Sequence, residues 1–256
     1  MHIRFKKYQG TGNDFVMIDD RGGEFPAENY KLVARLCHRR FGIGADGLIL
    51  VRAHPDCDFE MRYYNADGQP GSMCGNGGRC AVMFARQLGI FKNSCRFMAS
   101  DGLHRGQIQN GKVRLQMQDV ASVQCHDGYF FADTGSPHYV AFVDDVDTFP
   151  VVEQGRKIRQ QPAFAPGGTN VNFVTRRADL LDVRTYERGV EDETWACGTG
   201  ATAVALVAAL QNSQSPVMLK VKGGQLQVAF ERQGKAFKNI YLTGPATHVF
   251  SGEVTL

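Results

Sequence analysis

Two short stretches of the chain carry the residue types best suited to chemistry. They are Met73-Cys74-Gly75-Asn76-Gly77-Gly78 and Ala196-Cys197-Gly198-Thr199-Gly200-Ala201. Each reads cysteine, glycine, a small polar residue, glycine, and each opens a run patterned as a helix. A helix N-terminus presents unpaired backbone N–H groups and the equivalent of about half a positive charge. A cysteine there has a lowered pKa and can act as a base or nucleophile near neutral pH. The glycines beside it let a carboxylate approach the N–H groups closely. The cysteines are 123 residues apart, near half of the 256-residue chain, which points to two related halves. If both helix ends face one cleft, a bound carboxylate is flanked by two sulfurs. One sulfur then removes the proton from the adjacent carbon and the other reprotonates the opposite face. That is racemisation or epimerisation by two bases, with developing carboxylate charge met by donors already in place.

Other readings of a glycine-rich helix start fare less well. Gly-x-x-x-x-Gly-Lys-Ser/Thr is absent, and no Gly-x-Gly-x-x-Gly follows an apolar strand. His138, in Gly135-Ser136-Pro137-His138, is available to a nucleophilic cysteine, so hydrolysis stays open on chemistry alone. A non-catalytic module that binds phosphate or another anion at two helix ends is also open. It predicts that replacing either cysteine by serine is harmless. The seven cysteines are odd in number, scattered, and never spaced C-x-x-C; H-E-x-x-H does not occur. Neither a disulfide framework nor a zinc site is expected. Cys37, Cys57, Cys95 and Cys125 are expected to be small buried apolar residues.

The elements that must position these motifs are mostly strands. In Lys112-Val113-Arg114-Leu115-Gln116-Met117-Gln118 every second residue is apolar, directly after a turn-forming Asn110-Gly111. Leu219–Lys222 and Gln225–Val228 read as two arms of a hairpin about Gly223-Gly224. Helices are expected over Ala27–Arg39, Gly77–Leu88 and Gly200–Gln211. The last is apolar nearly all round, the mark of a helix enclosed by protein.

Hydrophobic residues form 43% of the chain and charged residues 21%, as in a packed globular protein. Twenty-nine Lys and Arg against 26 Asp and Glu leave +3, no electrostatic footprint for nucleic acid. The longest largely apolar run, Ala201–Leu210, is far shorter than the roughly 20 residues that cross a bilayer. The basic start, Met1–Lys7, is not followed by the apolar stretch of a secretory signal. A soluble, cytoplasmic protein without a membrane partner is expected.

These motifs, with others in order along nearly the whole chain, resemble the pyridoxal-independent diaminopimelate epimerases. The resemblance is carried by Gly10-Thr11-Gly12-Asn13-Asp14-Phe15, Gly42-Ile43-Gly44-Ala45-Asp46-Gly47, Tyr64-Asn65-Ala66-Asp67-Gly68 and the Cys74 motif. The second half adds Gly135-Ser136-Pro137-His138, Thr169-Asn170-Val171-Asn172-Phe173, Tyr186-Glu187-Arg188-Gly189 and the Cys197 motif. The resemblance implies an α/β (α+β) protein of two pseudo-symmetric domains, each a strand-rich barrel around a central helix, with the active site in the interdomain cleft. The expected halves are 1–119, with a C-terminal strand at about 247–256, and 120–246.

The resemblance further implies that Cys74 and Cys197 are the acid/base pair, and that His138 and Glu187 adjust their pKa values. Gly75, Asn76, Gly198 and Thr199 would hold the reacting carboxylate by backbone N–H groups. Asn13, Asn65, Asn170, Glu187 and Arg188 would contact the substrate's amino and carboxylate groups. Arg188 suits the distal carboxylate because a guanidinium binds it with two parallel hydrogen bonds. No metal or organic cofactor is implied, and homodimers occur in the family. Two positions depart from its pattern. Gly47 stands where many members have glutamine, and Ser136 where asparagine is common; both are retained as substrate-contact candidates. The expected activity is interconversion of LL- and meso-2,6-diaminopimelate. A proline or hydroxyproline racemase of the same fold is the nearest alternative. It is disfavoured because a ring imino acid has no distal carboxylate for Arg188. A phenazine-type isomerase is disfavoured because two cysteines fill the catalytic positions.

Overall fold

The turns and alternating runs become hairpins. Asn110 and Gly111 have φ of 50° and 74°, the two left-handed positions that a two-residue hairpin turn requires. The computed structural model describes residues 1–255, and the chain in it divides into two units. One comprises Met1–Leu115 and the segment from Gly244 onward, the other Gln116–Thr243.

In the first unit β1 (His2–Gly10) and β2 (Asn13–Asp19) pair antiparallel. Helix α1 (Tyr30–Cys37) leads to β3 (Gly47–Arg52), parallel to β2, and β4 (Phe59–Asn65) returns antiparallel. Helix α2 (Gly75–Gln87) then precedes β5 (Ser94–Ala99), parallel to β4, followed by antiparallel β6 (Gly102–Gln109) and β7 (Lys112–Gln116).

The second unit starts with the short β8 (Gln124–His126), antiparallel to β9 (Tyr129–Asp133), which pairs with β10 (Pro137–Phe142). Helix α3 (Val151–Arg159) leads to β11 (Asn170–Arg177), parallel to β10, and β12 (Leu180–Glu187) returns antiparallel. A short β13 (Asp192–Thr194) pairs with β12. Helix α4 (Gly198–Leu210) precedes β14 (Val217–Val221), parallel to β12, then antiparallel β15 (Gly224–Gln233) and β16 (Ala236–Gly244). The last strand, β17 (Thr247–Thr255), pairs with β1. Apart from β8, β13, β17 and a short 3₁₀ turn at Pro162–Phe164, the two units run through the same series of elements with the same pairings.

The central helices explain that series. In α4 every residue from Gly200 to Ala209 is buried, and strands β9–β12, β14 and β15 all contact it. Its small side chains let strands close around a cylinder about 10 Å across. Helix α2 is enclosed in the same way by β1–β4 and β6. Strands β2 and β3 are covered on both faces, which is why they read as continuous apolar runs. Phe15 and Ile49 face α2, while Val16, Leu48 and Leu50 pack with Val33 and Leu36 of α1. Asn29 caps α1, its side chain accepting from Leu32 N at 3.1 Å.

Two expectations need correction. Helix α3 is an element the sequence pattern did not point to: Val151 and Gly155 of VVEQGRKIR are buried and Val152 and Ile158 pack half-buried on the same core, a short stripe with a glycine in its middle. Cys37 and Cys95 are buried, but Cys57 is half-buried and Cys125 exposed. Cys125 lies on β8, whose three residues are all exposed; strand pairing alone does not bury a side chain. Among the described residues no helix is long and apolar enough to cross a membrane.

Candidate active site

Cys74 is the N-cap of α2, with extended backbone (φ −108°, ψ 127°) that ends the incoming segment and starts the helix. Its carbonyl accepts the first helical bond, from Gly78 N at 2.7 Å. The half-buried thiol donates to Asn13 Oδ1 at 3.6 Å. Asn13 sits at the start of β2, and its Oδ1 also accepts from Asn76 Nδ2 at 3.3 Å. The Asn13 Nδ2 donates to Asp46 Oδ2 at 2.7 Å. On the far side, Arg79 Nη2 donates to Asn76 Oδ1 at 3.0 Å and to Thr11 Oγ1 at 3.1 Å. The two asparagine amides thus form one oriented chain, running from the Arg79 guanidinium to the Asp46 carboxylate.

That chain is anchored at the surface. Arg39 bridges Asp14 at 2.7 Å and Asp46 at 2.8 Å, and Lys7 Nζ reaches Asp14 at 2.7 Å and the Gly44 carbonyl. Burial raises the Asp14 pKa, but the bonds from Arg39 and Lys7 outweigh it and hold the carboxyl at about 2.

Gly47 begins β3 opposite Asn65 at the end of β4. A Cβ at Gly47 would stand 2.5 Å from both Tyr63 Cε2 and the Tyr64 carbonyl oxygen. The Tyr63 ring also lies 2.5 Å from the Cβ position of Gly71. Glycine at 47 therefore makes room for an aromatic ring; no side chain fits there without a shift. Asn65 is exposed.

The second helix start is built differently. Cys197 is the N-cap of α4 (φ −120°, ψ 116°), and its sulfur accepts from Gly200 N at 3.4 Å. Thr199 Oγ1 lies 3.4 Å from the same sulfur and 2.9 Å from His138 Nε2. Ser136 Oγ is 3.0 Å from His138 Nε2 and 3.2 Å from Thr199 Oγ1. Asn172 Nδ2 donates to His138 Nδ1 at 3.2 Å and to Tyr139 O at 2.9 Å, and Thr185 holds Asn172 Oδ1 at 2.9 Å. His138 is completely buried. That burial first, then the Arg188 charge, pushes its pKa from 6.5 down to about 3. The imidazole is neutral at pH 7. Since Nδ1 accepts from Asn172, its proton sits on Nε2, aimed at the hydroxyls of Ser136 and Thr199. Gly200 is required here, because a Cβ would lie 2.5 Å from Asn172 Oδ1 and 3.3 Å from His138 Cε1.

The two sulfurs differ in what they meet. An amide oxygen only accepts, so the Cys74–Asn13 bond needs the thiol. The Cys197 sulfur accepts an N–H, a bond that strengthens when the sulfur is charged. The remaining candidates are dispersed around these starts. Asn170 is buried and its amide is engaged by the protein: Nδ2 donates to Ser136 Oγ and Pro137 O, and Oδ1 accepts from Arg188 N at 2.9 Å. Glu187 Oε2 accepts from Thr194 Oγ1 at 2.9 Å. Arg188 is exposed, with Nη1 3.4 Å from Gly167 O. Sequence reasoning missed Asn172, Thr11, Asp46 and Arg79. Asn172 was legible in principle, since Asn170 and Asn172 alternate onto one face of β11. Among the described residues no group of three or more His, Cys, Asp or Glu side chains could hold a metal.

A family model described as diaminopimelate epimerase matches residues 5–123 and 130–249. The diaminopimelate epimerase of Flavobacterium psychrophilum is 50% identical over 252 residues, covering 97% of this chain and 98% of that one. That of Chlorobaculum tepidum is 44% identical over 263 residues, covering 96% and 99%. Among solved structures, a phenazine biosynthesis protein of the PhzF family from Bacillus anthracis has a TM-score of 0.78 at 14% identity, covering all of both chains. A hydroxyproline epimerase from Agrobacterium vitis has a TM-score of 0.71 at 13% identity, covering 100% of this chain and 93% of that one. Those two similarities show the fold alone, a strand-rich α+β arrangement of two domains.

Proposed function

The chain belongs to the diaminopimelate epimerase family and is an isomerase; on that premise we propose the chemistry its two cysteines perform. The substrate is 2,6-diaminopimelate, interconverted between its LL and meso forms on the route to lysine and peptidoglycan precursors. Cys74 and Cys197 alternate as base and acid without a metal or organic cofactor. The sulfur that starts as thiolate takes the α-proton, and the other gives its proton to the opposite face, leaving the roles exchanged. The isomer bound sets which sulfur begins.

The observation that carries this reading is that each cysteine caps a buried 13-residue helix at the same point of the same element series. The first N–H groups of a helix point outward from its start, and those of Gly75-Asn76 and Gly198-Thr199 are the donors for the reacting carboxylate. When Cys197 is charged, Gly200 N–H and the Thr199 hydroxyl donate to it, and neutral His138 orients that hydroxyl from behind. Asn13 receives the Cys74 proton-bearing bond. Arg188 supplies a charge for the distal carboxylate, and Asn170 holds the Arg188 backbone in place. Asn65, Glu187 and Ser136 complete the polar lining, and Gly47 contributes by admitting Tyr63. The same reading makes the protein a cytoplasmic homodimer that engages neither nucleic acid nor membrane. Size-exclusion chromatography with light scattering tests the dimer.

The test of function is direct. Purified protein with reductant should convert LL-diaminopimelate to the meso form, and Cys74→Ser and Cys197→Ser should each lose at least about 100-fold. Full activity in either serine variant refutes the two-base reading and returns the helix ends to simple anion binding.

A further inference from the structure

We infer that Arg79 is a positioning residue for Cys74: its buried guanidinium orients the Asn76–Asn13 pair against the sulfur and supplies the positive charge that a Cys74 thiolate faces. The inference rests on the reading above that Cys74 ionises in turnover, and it extends the machinery one helical turn into α2.

Arg79 is completely buried and is the largest such side chain among the described residues. Its Nε donates to Pro245 O at 3.3 Å, Nη1 to Gly75 O at 3.3 Å, and Nη2 to Thr11 Oγ1 and Asn76 Oδ1. All four acceptors are neutral. Arg39, Arg52 and Arg184 each hold a carboxylate at 2.6–2.8 Å. Arg79 has none within ion-pair distance among the described residues. Burying a charge without a counter-charge is expensive even when its protons are bonded. The helix around it (Cys80, Ala81, Val82, Phe84) is otherwise apolar, and an apolar side chain of similar volume would serve packing better.

What the charge favours is an anion nearby. Two groups qualify: Cys80, its neighbour in sequence, and Cys74 at the helix start. Burial pushes the Cys80 thiol up to about 12, so it stays protonated. Cys74 is half-buried and accessible to chemistry. The amide chain makes the charge necessary. Arg79 claims Asn76 Oδ1, so Asn76 must turn Nδ2 to Asn13. Asp46 claims Asn13 Nδ2, so Asn13 must turn Oδ1 to Cys74. That oxygen aligns the thiol but repels a thiolate, and Arg79 offsets the repulsion.

Most other titratable groups on the elements packed against α2 are already engaged. Tyr8 on β1 is pushed up to about 12 by burial and donates to Gln87; Lys6 lies over the Phe84 ring, and Lys7 pairs with Asp14. Asp14 on β2 and Asp46 before β3 are bridged by Arg39, and Arg52 on β3 pairs with Asp20. On β4, Glu60 pairs with Arg62, and the Tyr63 ring packs on Phe15. On β6, His104 pairs with Asp101, and Arg105 lies beside it in the strand.

The experiment follows iodoacetamide labelling of the Cys74 and Cys197 peptides by mass spectrometry from pH 5 to 10. Arg79→Gln keeps an N–H donor without the charge; Arg79→Lys keeps the charge without the fork. The Cys74 labelling midpoint is expected to rise by about one unit in Arg79→Gln and to stay near wild type in Arg79→Lys. The Cys197 midpoint should not move in either. An unchanged Cys74 midpoint in folded Arg79→Gln, or equal shifts at both cysteines, overturns the inference. If neither variant folds, Thr11→Val carries the test. It leaves the charge, so the Cys74 midpoint should hold while kcat falls more than KM changes; a shifted midpoint, or an unchanged kcat, overturns the inference. The outcomes separate from those for function. An inactive Cys74→Ser with no shift in Arg79→Gln removes Arg79 alone. A shift in Arg79→Gln alongside an active Cys74→Ser leaves the coupling but removes the catalytic role of Cys74.

Discussion

Thr199→Val tests the second helix start by removing one oxygen while keeping the side-chain outline. That oxygen lies 3.4 Å from Cys197 Sγ, 2.9 Å from His138 Nε2 and 3.2 Å from Ser136 Oγ. Two consequences separate cleanly. For stability, the buried His138 N–H keeps an acceptor, Ser136 Oγ at 3.0 Å, so the loss should be only about 1 kcal/mol. For catalysis, a Cys197 thiolate would lose the hydroxyl donor and keep the Gly200 N–H. A hydrogen bond to a charged group contributes about 2 kcal/mol, which corresponds to roughly 30-fold in kcat/KM and a rise of about 1.5 units in the Cys197 pKa. Thr199→Ser retains the hydroxyl and should stay within about threefold of wild type. The assay is LL-to-meso conversion from pH 6 to 9, with urea midpoints as the stability control. Matching rates for Thr199→Val and Thr199→Ser would refute the idea that this hydroxyl supports the sulfur.

Further outcomes follow from the same geometry. Folded His138 is neutral above about pH 3, whereas the unfolded chain carries histidine of ordinary pKa 6.5. Between those values the unfolded state binds the extra proton. The stability from His138 is thus whole above pH 6.5 and lost progressively as the pH falls toward 3. Urea midpoints measured from pH 7.5 to 4.5 should fall less steeply in His138→Asn than in wild type; parallel slopes would contradict this. Asp14 acts in the same direction but lower, between its ordinary 3.8 and about 2. Gly47→Ala should destabilise by about 1–3 kcal/mol through overpacking. Adding Tyr63→Ala should restore only part of that, because the Tyr64 carbonyl oxygen also occupies the Cβ position. Denaturant midpoints of the single and double variants check it, and full restoration would show that the ring alone was the obstacle.

The parts legible in the sequence were those written in local pattern. The enclosed helix α4 announced itself because Ala201–Leu210 is apolar nearly all round, and the Asn110-Gly111 hairpin because its turn chemistry is local. Two matching cysteine motifs half a chain apart foretold two units with the same element series. Helix α3 was illegible because its apolar stripe is short: Val151, Val152 and Ile158 rest on the core around Gly155, in a nine-residue run with four charged residues. The site's polar networks were illegible for another reason. They join residues far apart in the chain: Thr11 to Arg79, Asn13 to Asp46, His138 to Asn172 and Thr199. Only the fold decides which of many asparagines and threonines meet. The glycine at position 47 likewise gains its meaning from a ring on another strand.

The sharpest measurement is the early time course of solvent labelling. LL-diaminopimelate is incubated with the reduced enzyme in deuterated water and sampled before about a tenth has turned over. Two bases predict meso product with one deuterium at the inverted α-carbon, while the remaining LL substrate is still unlabelled. Product that keeps its original proton, or substrate that gains deuterium as fast as product forms, would show a single base serving both faces and contradict the paired roles of Cys74 and Cys197.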